Sequence, residues 1–445
     1  MRSLWPQGGL WRHRDFLKLW SAETISVFGS QFTGLALPLV AVLLLDASAF
    51  AVSALFVIEF LPFILFAIPA GVWVDRLPRK PILVIGDLAR AALLVTIPIA
   101  YAFDGLTLWH LYVVGFLVGI CTVFFDVAYQ SYLPALVERD QLVEGNSKLE
   151  ISRSTSQLAG PGMAGGLISA LGAPVAILLD AISFFGPALF LFAIRKHETP
   201  PERAAGEKRP SMLADAREGL SFVVRHPYLR PISICTGTSN FFWSMGGAIL
   251  VVYAVRELEM SAAAIGLTFS IGNVGPLIAA FVTSRISGRL GVGPTILTMS
   301  FLFGFAMLLV PLATPETALP LLAASAAVAG FGSVAYNITQ LSFRQAICPP
   351  RLQGRMNAVI RFLVWGTLPL GALLGGSLGT WIGLRGALWV AAIGALFTFL
   401  PIALSPVPKL REMPEPIEDE EAPRTDEALA GLHATPDPLS PSDAP

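Results

Sequence analysis

Gly71-Val72-Trp73-Val74-Asp75-Arg76-Leu77-Pro78-Arg79-Lys80 joins two long apolar stretches and is more patterned than a plain connecting loop. Gly71, near the end of the first stretch, removes a side chain where one membrane helix must approach another closely. Asp75 falls just past that end, where a carboxylate can face the positive N-terminus of a neighbouring helix. Arg76, Arg79 and Lys80 then anchor the loop to one face of a membrane. An ordinary basic loop accounts for Arg79 and Lys80 but not for the Gly-x3-Asp-Arg-x2-Arg spacing.

Working outward, a helix crossing a hydrocarbon core about 30 Å thick needs roughly 20 mainly apolar residues. That length finds twelve spans: 19–45, 50–74, 82–103, 109–133, 154–171, 174–194, 232–255, 262–283, 295–312, 319–346, 359–382 and 387–404. The bulk composition agrees. Charged residues are 14% of the 445, against about 25% in soluble domains, and hydrophobic residues reach 54%. Mean hydropathy is +0.67. Too few charges exist to cover a soluble surface. The expected fold is an all-α membrane protein, twelve transmembrane helices in two six-helix halves.

With the N-terminus inside, the external loops contain only Arg256 and Arg385, while nearly all other loop bases fall on the cytoplasmic side. This bias places both termini in the cytoplasm. The net charge of −1 is a cancellation between a basic body and an acidic end. Residues 1–194 form the first half and 195–230 a cytoplasmic linker. Within the linker Leu213, Ala216, Leu220 and Val223 recur at helical spacing, predicting an amphipathic helix on the inner membrane surface. Residues 231–405 form the second half. The Pro-rich acidic tail, 406–445, is expected to be disordered.

The halves are related by an internal repeat. At an offset of 211 residues Gly119 matches Gly330, Asp126 matches Asn337, Asn146 matches Asn357, Gly165 matches Gly376 and Gly172 matches Gly383. Duplicated halves are the mark of transporters that hold substrate between them near the midplane.

On these residues the chain resembles the major facilitator superfamily, whose loop signature is the Gly-x3-Asp-Arg-x2-Arg pattern. More narrowly it is similar to the twelve-span exporters that include macrolide-type efflux proteins and the enterobactin exporter. Further carriers of the resemblance are Ala36-Leu37-Pro38, Asp87 and Arg90, and Gly354-Arg355 with Asn357. It implies a gate: Asp75 contacts the end of span eleven in the outward-facing state, with Gly71 permitting the approach and Arg76 and Arg79 completing the motif. Gly160-Pro161 with Gly165-Gly166 resembles the antiporter signature of span five, with one extra residue before the double glycine. Span four lacks the membrane arginine of many drug–proton antiporters.

Ionisable residues deep in a span are costly and mark function by default. Glu59 in span two and Asp126 in span four are therefore the proton-coupling candidates. Asp87 and Arg90, three apart, can neutralise one another, and Asp180 reads as structural. Spans one, four, seven and ten line the central cavity in the superfamily. Substrate-cavity candidates on them are Ser30, Thr33, Gln130, Asn240, Trp243, Asn337 and Gln340.

The chain lacks a phosphate-binding Gly-x4-Gly-Lys-Ser/Thr loop, a metal-type His/Cys cluster and a nucleophile–base constellation. The expected function is secondary active export of an amphipathic small molecule (a drug, macrolide-like compound or siderophore) by alternating access and proton antiport. No enzyme activity, cofactor, metal or nucleic acid is expected. The expected partners are the substrate, protons and membrane lipid, around a monomer in the bacterial cytoplasmic (inner) membrane. Alternatives are a lysophospholipid flippase or importer of the same fold, and a non-transporting membrane sensor.

Overall fold

The computed structural model describes residues 9–74, 77–138, 141–194, 212–348 and 350–413. Asp75 and Arg76 of the gate motif lie outside them, as does most of the linker. The first half contains α1 (Arg14–Leu43), α2 (Ala49–Val74), α3 (Arg79–Ala102), α4 (Leu108–Leu136), α5 (Leu142–Leu171) and α6 (Ala173–Phe192). A linker helix, α7 (Met212–Arg225), follows. The second half has α8 (Leu229–Arg256), α9 (Ala262–Leu290), α10 (Val292–Leu312), α11 (Ala318–Ala346), α12 (Pro350–Trp365, continuing as Thr367–Trp381) and α13 (Leu384–Ala403). Eleven of the twelve long helices are apolar enough to cross a membrane. The exception is α5, whose first turns carry Glu144, Lys148, Glu150 and Arg153. It starts twelve residues before the expected span because that polar stretch continues the same helix.

Five helices are interrupted, and one cause serves all five. Helix ends at Ser183, Gly272, Met307 and Trp365 each stand four residues before a proline: Pro187, Pro276, Pro311 and Pro369. In α13 the break after Leu396 precedes Pro401. Proline has no N–H for the carbonyl four residues back, so the ladder opens there. Side chains from neighbouring helices take up carbonyls beside these breaks. Ser325 donates to Ala306 O (2.8 Å) and Ser244 to Leu368 O (2.7 Å).

The repeat appears in the backbone. Gly172 and Gly383 both adopt positive φ, +88° and +81°, and each begins the helix that follows, with Gly172 also ending the helix before it. Only glycine takes this conformation without strain.

Between the halves, α5 packs on α9 and α2 on the second part of α12. These contacts concentrate at the end of the bundle distal to the termini. A Cβ on Gly266 would fall 2.1 Å from Pro161 O, and one on Gly165 2.3 Å from Ala262 O. Gly376 lies equally close to Ser53. At the tip, Arg256 of α8 donates to Asp46 (2.6 Å) and to Ala47 O (3.0 Å) of the first half. Arg385 pairs with Glu257 and donates to Ala313 O. Both bases expected outside thus have defined partners.

Both polar segments make contacts with the bundle. The linker helix, expected on the inner membrane surface, docks against α12: Phe222 and Val223 are buried with Leu352, Met356 and Ile360, and Glu218 pairs with Arg355. Gly219 allows this, because a Cβ there would touch the Arg355 backbone at 2.9 Å. Leu220 stays exposed, and the side chains of Leu213 and Ala216 lie outside the description. The first residues of the tail pack on the bundle. Val407–Lys409 form a 3-10 turn with Val407 fully buried, and Arg411 O and Leu410 O accept from Val292 and Gly293. A glycine at 293 is required, since a Cβ would fall 1.9 Å from Val407 O. Residues 414–445 are not described.

Candidate functional site

Beneath the packed distal end lies a cavity of about 970 Å³. Most of its wall belongs to the second half. Asn240 and Trp243 of α8, Phe303 of α10, and Tyr336 and Asn337 of α11 face it. From the first half come Gln31, Gly34 and Leu35 of α1, Phe56 of α2 and Pro161 of α5. No lining side chain among the described residues is an Asp, Glu, His, Lys or Arg. The wall alternates aromatic faces with amides and hydroxyls, as small-molecule pockets commonly do. Trp243 packs on Phe303 at 5.8 Å between centroids, and Thr236 shares a 2.7 Å hydrogen bond with the Tyr336 hydroxyl.

Of the expected cavity residues, Asn240, Trp243 and Asn337 line it. Gln340 sits one turn beyond, buried, bonding Asn337 on one side and Arg344 on the other. Thr33 turns toward α6, where its hydroxyl donates to Asp180. Ser30 donates to Ser26 O in its own helix (2.9 Å) and is not in the wall. The Gln130 side chain lies outside the description. On α1 the cavity face is 31, 34 and 35, one residue out of phase with the expected stripe.

The buried acids stand apart from the cavity, all in the first half. Glu59 of α2 packs against α4, its Cγ 3.0 Å from where a Cβ on Gly115 would lie. One of its carboxylate oxygens is buried with no hydrogen-bond partner among the described residues. Phe60, one residue on, meets Trp365 of α12 across the halves at 6.1 Å. Asp126 of α4 is half-buried, within electrostatic reach of Arg90, Arg153 and Glu23. Glu23, on α1, also has a buried oxygen without a partner.

Asp87 and Arg90 pair at 2.5 Å and are almost wholly buried. The Arg90 guanidinium lies over the rings of Phe125 (4.3 Å) and Phe184 (4.6 Å). Asp180 is fully buried and accepts from Thr33 and Ser183, and Gly29 leaves room for it. Asp180 is satisfied by its helix neighbours, whereas Asp87 Oδ2 and Arg90 Nε are buried without a hydrogen-bond partner among the described residues.

The glycines of span five divide. Gly165 and Pro161 meet Gly266 of α9, whereas Gly166 faces open space. Gly160 receives the side chain of Gln31. Gly71, expected at a close contact, has nothing within 4 Å of a would-be Cβ. Arg79 is half-buried at the start of α3.

A family model described as a transmembrane secretion effector, of the major facilitator superfamily type, matches residues 9–431. The chain belongs to the major facilitator superfamily. Within it, the multidrug efflux pump Tap of Mycolicibacterium fortuitum is 27% identical over 381 residues, 83% of this chain and 88% of that protein. Macrolide efflux protein A of Streptococcus pyogenes is 21% identical over 399 residues, 89% of this chain and 97% of its own. Among solved structures, a bacterial homologue of the iron transporter ferroportin in an inward-facing state superposes with a TM-score of 0.70. It covers 88% of this chain and 98% of that one at 16% identity, which speaks to the fold. The facilitator fold explains the residues the sequence reading passed over. Gln31, Phe56, Asn273 and Trp365 line the cavity but carry no polar stripe of their own.

Proposed function

We propose that this facilitator exports an amphipathic small molecule from the bacterial cytoplasm in exchange for protons, by rocking its two halves about the central cavity. The observation that carries the reading is the cavity itself. It is large, aromatic and amide-lined, free of carboxylates and basic side chains among the described residues, and closed where the halves pack at the distal end. With both termini cytoplasmic, this is the inward-open member of an alternating pair, ready to load substrate from inside. The likeness to two efflux proteins supports the direction.

Glu59 and Asp126 carry the proton in this reading. Both are carboxylates inside spans and away from the cavity wall. Asp75, with Arg76 and Arg79, gates the inner side, and Gly71 is uncrowded in this state because its contact belongs to the outward-open one. Antiport is tested with a toxicity panel in a pump-deficient bacterial host expressing the protein, with and without a protonophore. Resistance to at least one amphipathic compound, abolished by the protonophore, is expected. Uptake of the compounds in place of efflux, or resistance indifferent to the proton gradient, would overturn the reading.

A further inference from the structure

Arg344 is the only basic side chain of α11, and it is 7% exposed. No described carboxylate pairs with it. Between residues 231 and 405 the acids are Glu257, Glu259 and Glu316, all in loops at the distal end, whereas Arg344 is in the last turn of α11. Its partners are neutral: Nη1 donates to Gln340 Oε1 at 3.2 Å and Nη2 to Asn357 Oδ1 at 3.0 Å.

A guanidinium only donates, and this settles the orientation of two amides above it. Gln340 must turn its oxygen to Arg344 and its NH2 upward. That NH2 donates to Asn337 Oδ1 at 3.3 Å. Asn337 then has its oxygen occupied and its own NH2 left on the cavity side. There the sole described partner is Ser333 Oγ in the same helix, at 3.5 Å. Asn337 is exposed to the cavity and Gln340 buried. Three donors therefore point one way along a line from a buried cation to the cavity wall. Hydrogen bonds so aligned polarise one another, most strongly away from water.

We propose that Asn337 is a hydrogen-bond donor to the substrate, oriented by Arg344, and that the cavity accordingly takes amphiphiles bearing a carbonyl-type acceptor oxygen. This rests on the cavity being the substrate site. A cation gains little from the same wall. Aromatic faces attract it modestly, the wall offers no carboxylate, and the charge behind Asn337 and Gln340 is itself positive. A neutral ketone, lactone or amide meets an oriented donor and apolar surface together. Gln340 and Arg344 are positioning residues, since neither lines the cavity.

The test is binding to the purified full-length protein, independent of direction and energy source, with labelled probes matched in shape. Fluorenone and fluorene differ by one carbonyl, and 9-aminofluorene supplies a cation of the same outline. Wild type is expected to prefer fluorenone over fluorene by about tenfold, one good hydrogen bond, and over the ammonium by at least as much. Asn337→Leu should bind both neutral probes equally. Asn337→Asp should reverse the order, favouring the cation. Arg344→Met should lower the ratio between the neutral probes while Arg344→Lys retains it, a pattern that general loosening of the helix would not produce. A fluorenone preference that survives in Asn337→Leu, or an unchanged ratio in a folded Arg344→Met, would overturn the proposal and leave the export reading standing. Absence of binding by every probe would overturn both.

Discussion

Asp126 and Asn337 occupy corresponding positions in the repeat, yet one half sets a carboxylate there and the other an amide. The amide faces the cavity, and the acid faces Glu23, Arg90 and Arg153. Duplication followed by divergence has separated polar recognition from charge. At this scale Glu59→Gln and Asp126→Asn are expected each to reduce protonophore-sensitive efflux at least tenfold while leaving substrate binding intact, because neither lines the cavity. Full efflux in both variants would remove these residues from the coupling. Single residues were also where the sequence was hardest to read. Thr33 and Ser30 look like a cavity stripe, but α1 turns 31, 34 and 35 inward. In a membrane, lipid is as apolar as a core, so periodicity does not fix which face of a helix points to the centre. Asn240, Trp243 and Asn337 were legible because they cluster on one flank of α8 and α11. Phe56 and Trp365 were not, since an aromatic among apolar residues leaves no contrast.

Elements were read more reliably than faces. All twelve helices follow from span length, and Gly172 and Gly383 mark the same joint in each half. The linker helix was legible by its spacing, but its docking on α12 depends on Gly219 and Phe222, which only the assembled bundle brings into use. That docking ends at His226, which is 3% exposed and lies between α7 and α8. Its Nδ1 accepts from the N–H groups of Tyr228 and Leu229 at 3.3 Å, between the rings of Phe222 and Tyr228. Burial pushes its pKa down from 6.5 to about 4. The unfolded chain therefore binds the proton first as pH falls. The stabilisation from neutral His226 is complete above about pH 6.5 and is lost on acidification toward pH 4. By pH 5 the loss should reach about 2 kcal/mol. Thermal unfolding at pH 7.5 and pH 5 checks it: His226→Asn keeps an acceptor and should show a shallower pH dependence, and an equal slope would remove His226 as the cause.

For the whole molecule, the distal seal decides which state is seen. Backbone meets backbone at Gly165 and Gly266, so even one methyl must push the halves apart there. Overpacking of this kind costs roughly 1–3 kcal/mol, enough to shift a closely balanced pair of states. Gly266→Ala is expected to lengthen spin-label distances across the distal ends of α2 and α12 and to slow transport. A distance distribution identical to wild type would mean that the seal yields elsewhere.

Four of the five proline breaks, before Pro276, Pro311, Pro369 and Pro401, lie in the second half, the half that walls the cavity. Pro38, Pro62, Pro69, Pro98, Pro134 and Pro161 sit in uninterrupted helices of the first. Bending a helix ordinarily stretches hydrogen bonds, but at these breaks the bond is already missing. The interrupted helices of the second half are therefore places where the cavity wall can flex without further loss of hydrogen bonds. If the cavity is the export site, such a wall is expected to accept ligands of differing girth, with selectivity resting on the polar groups that are held in place.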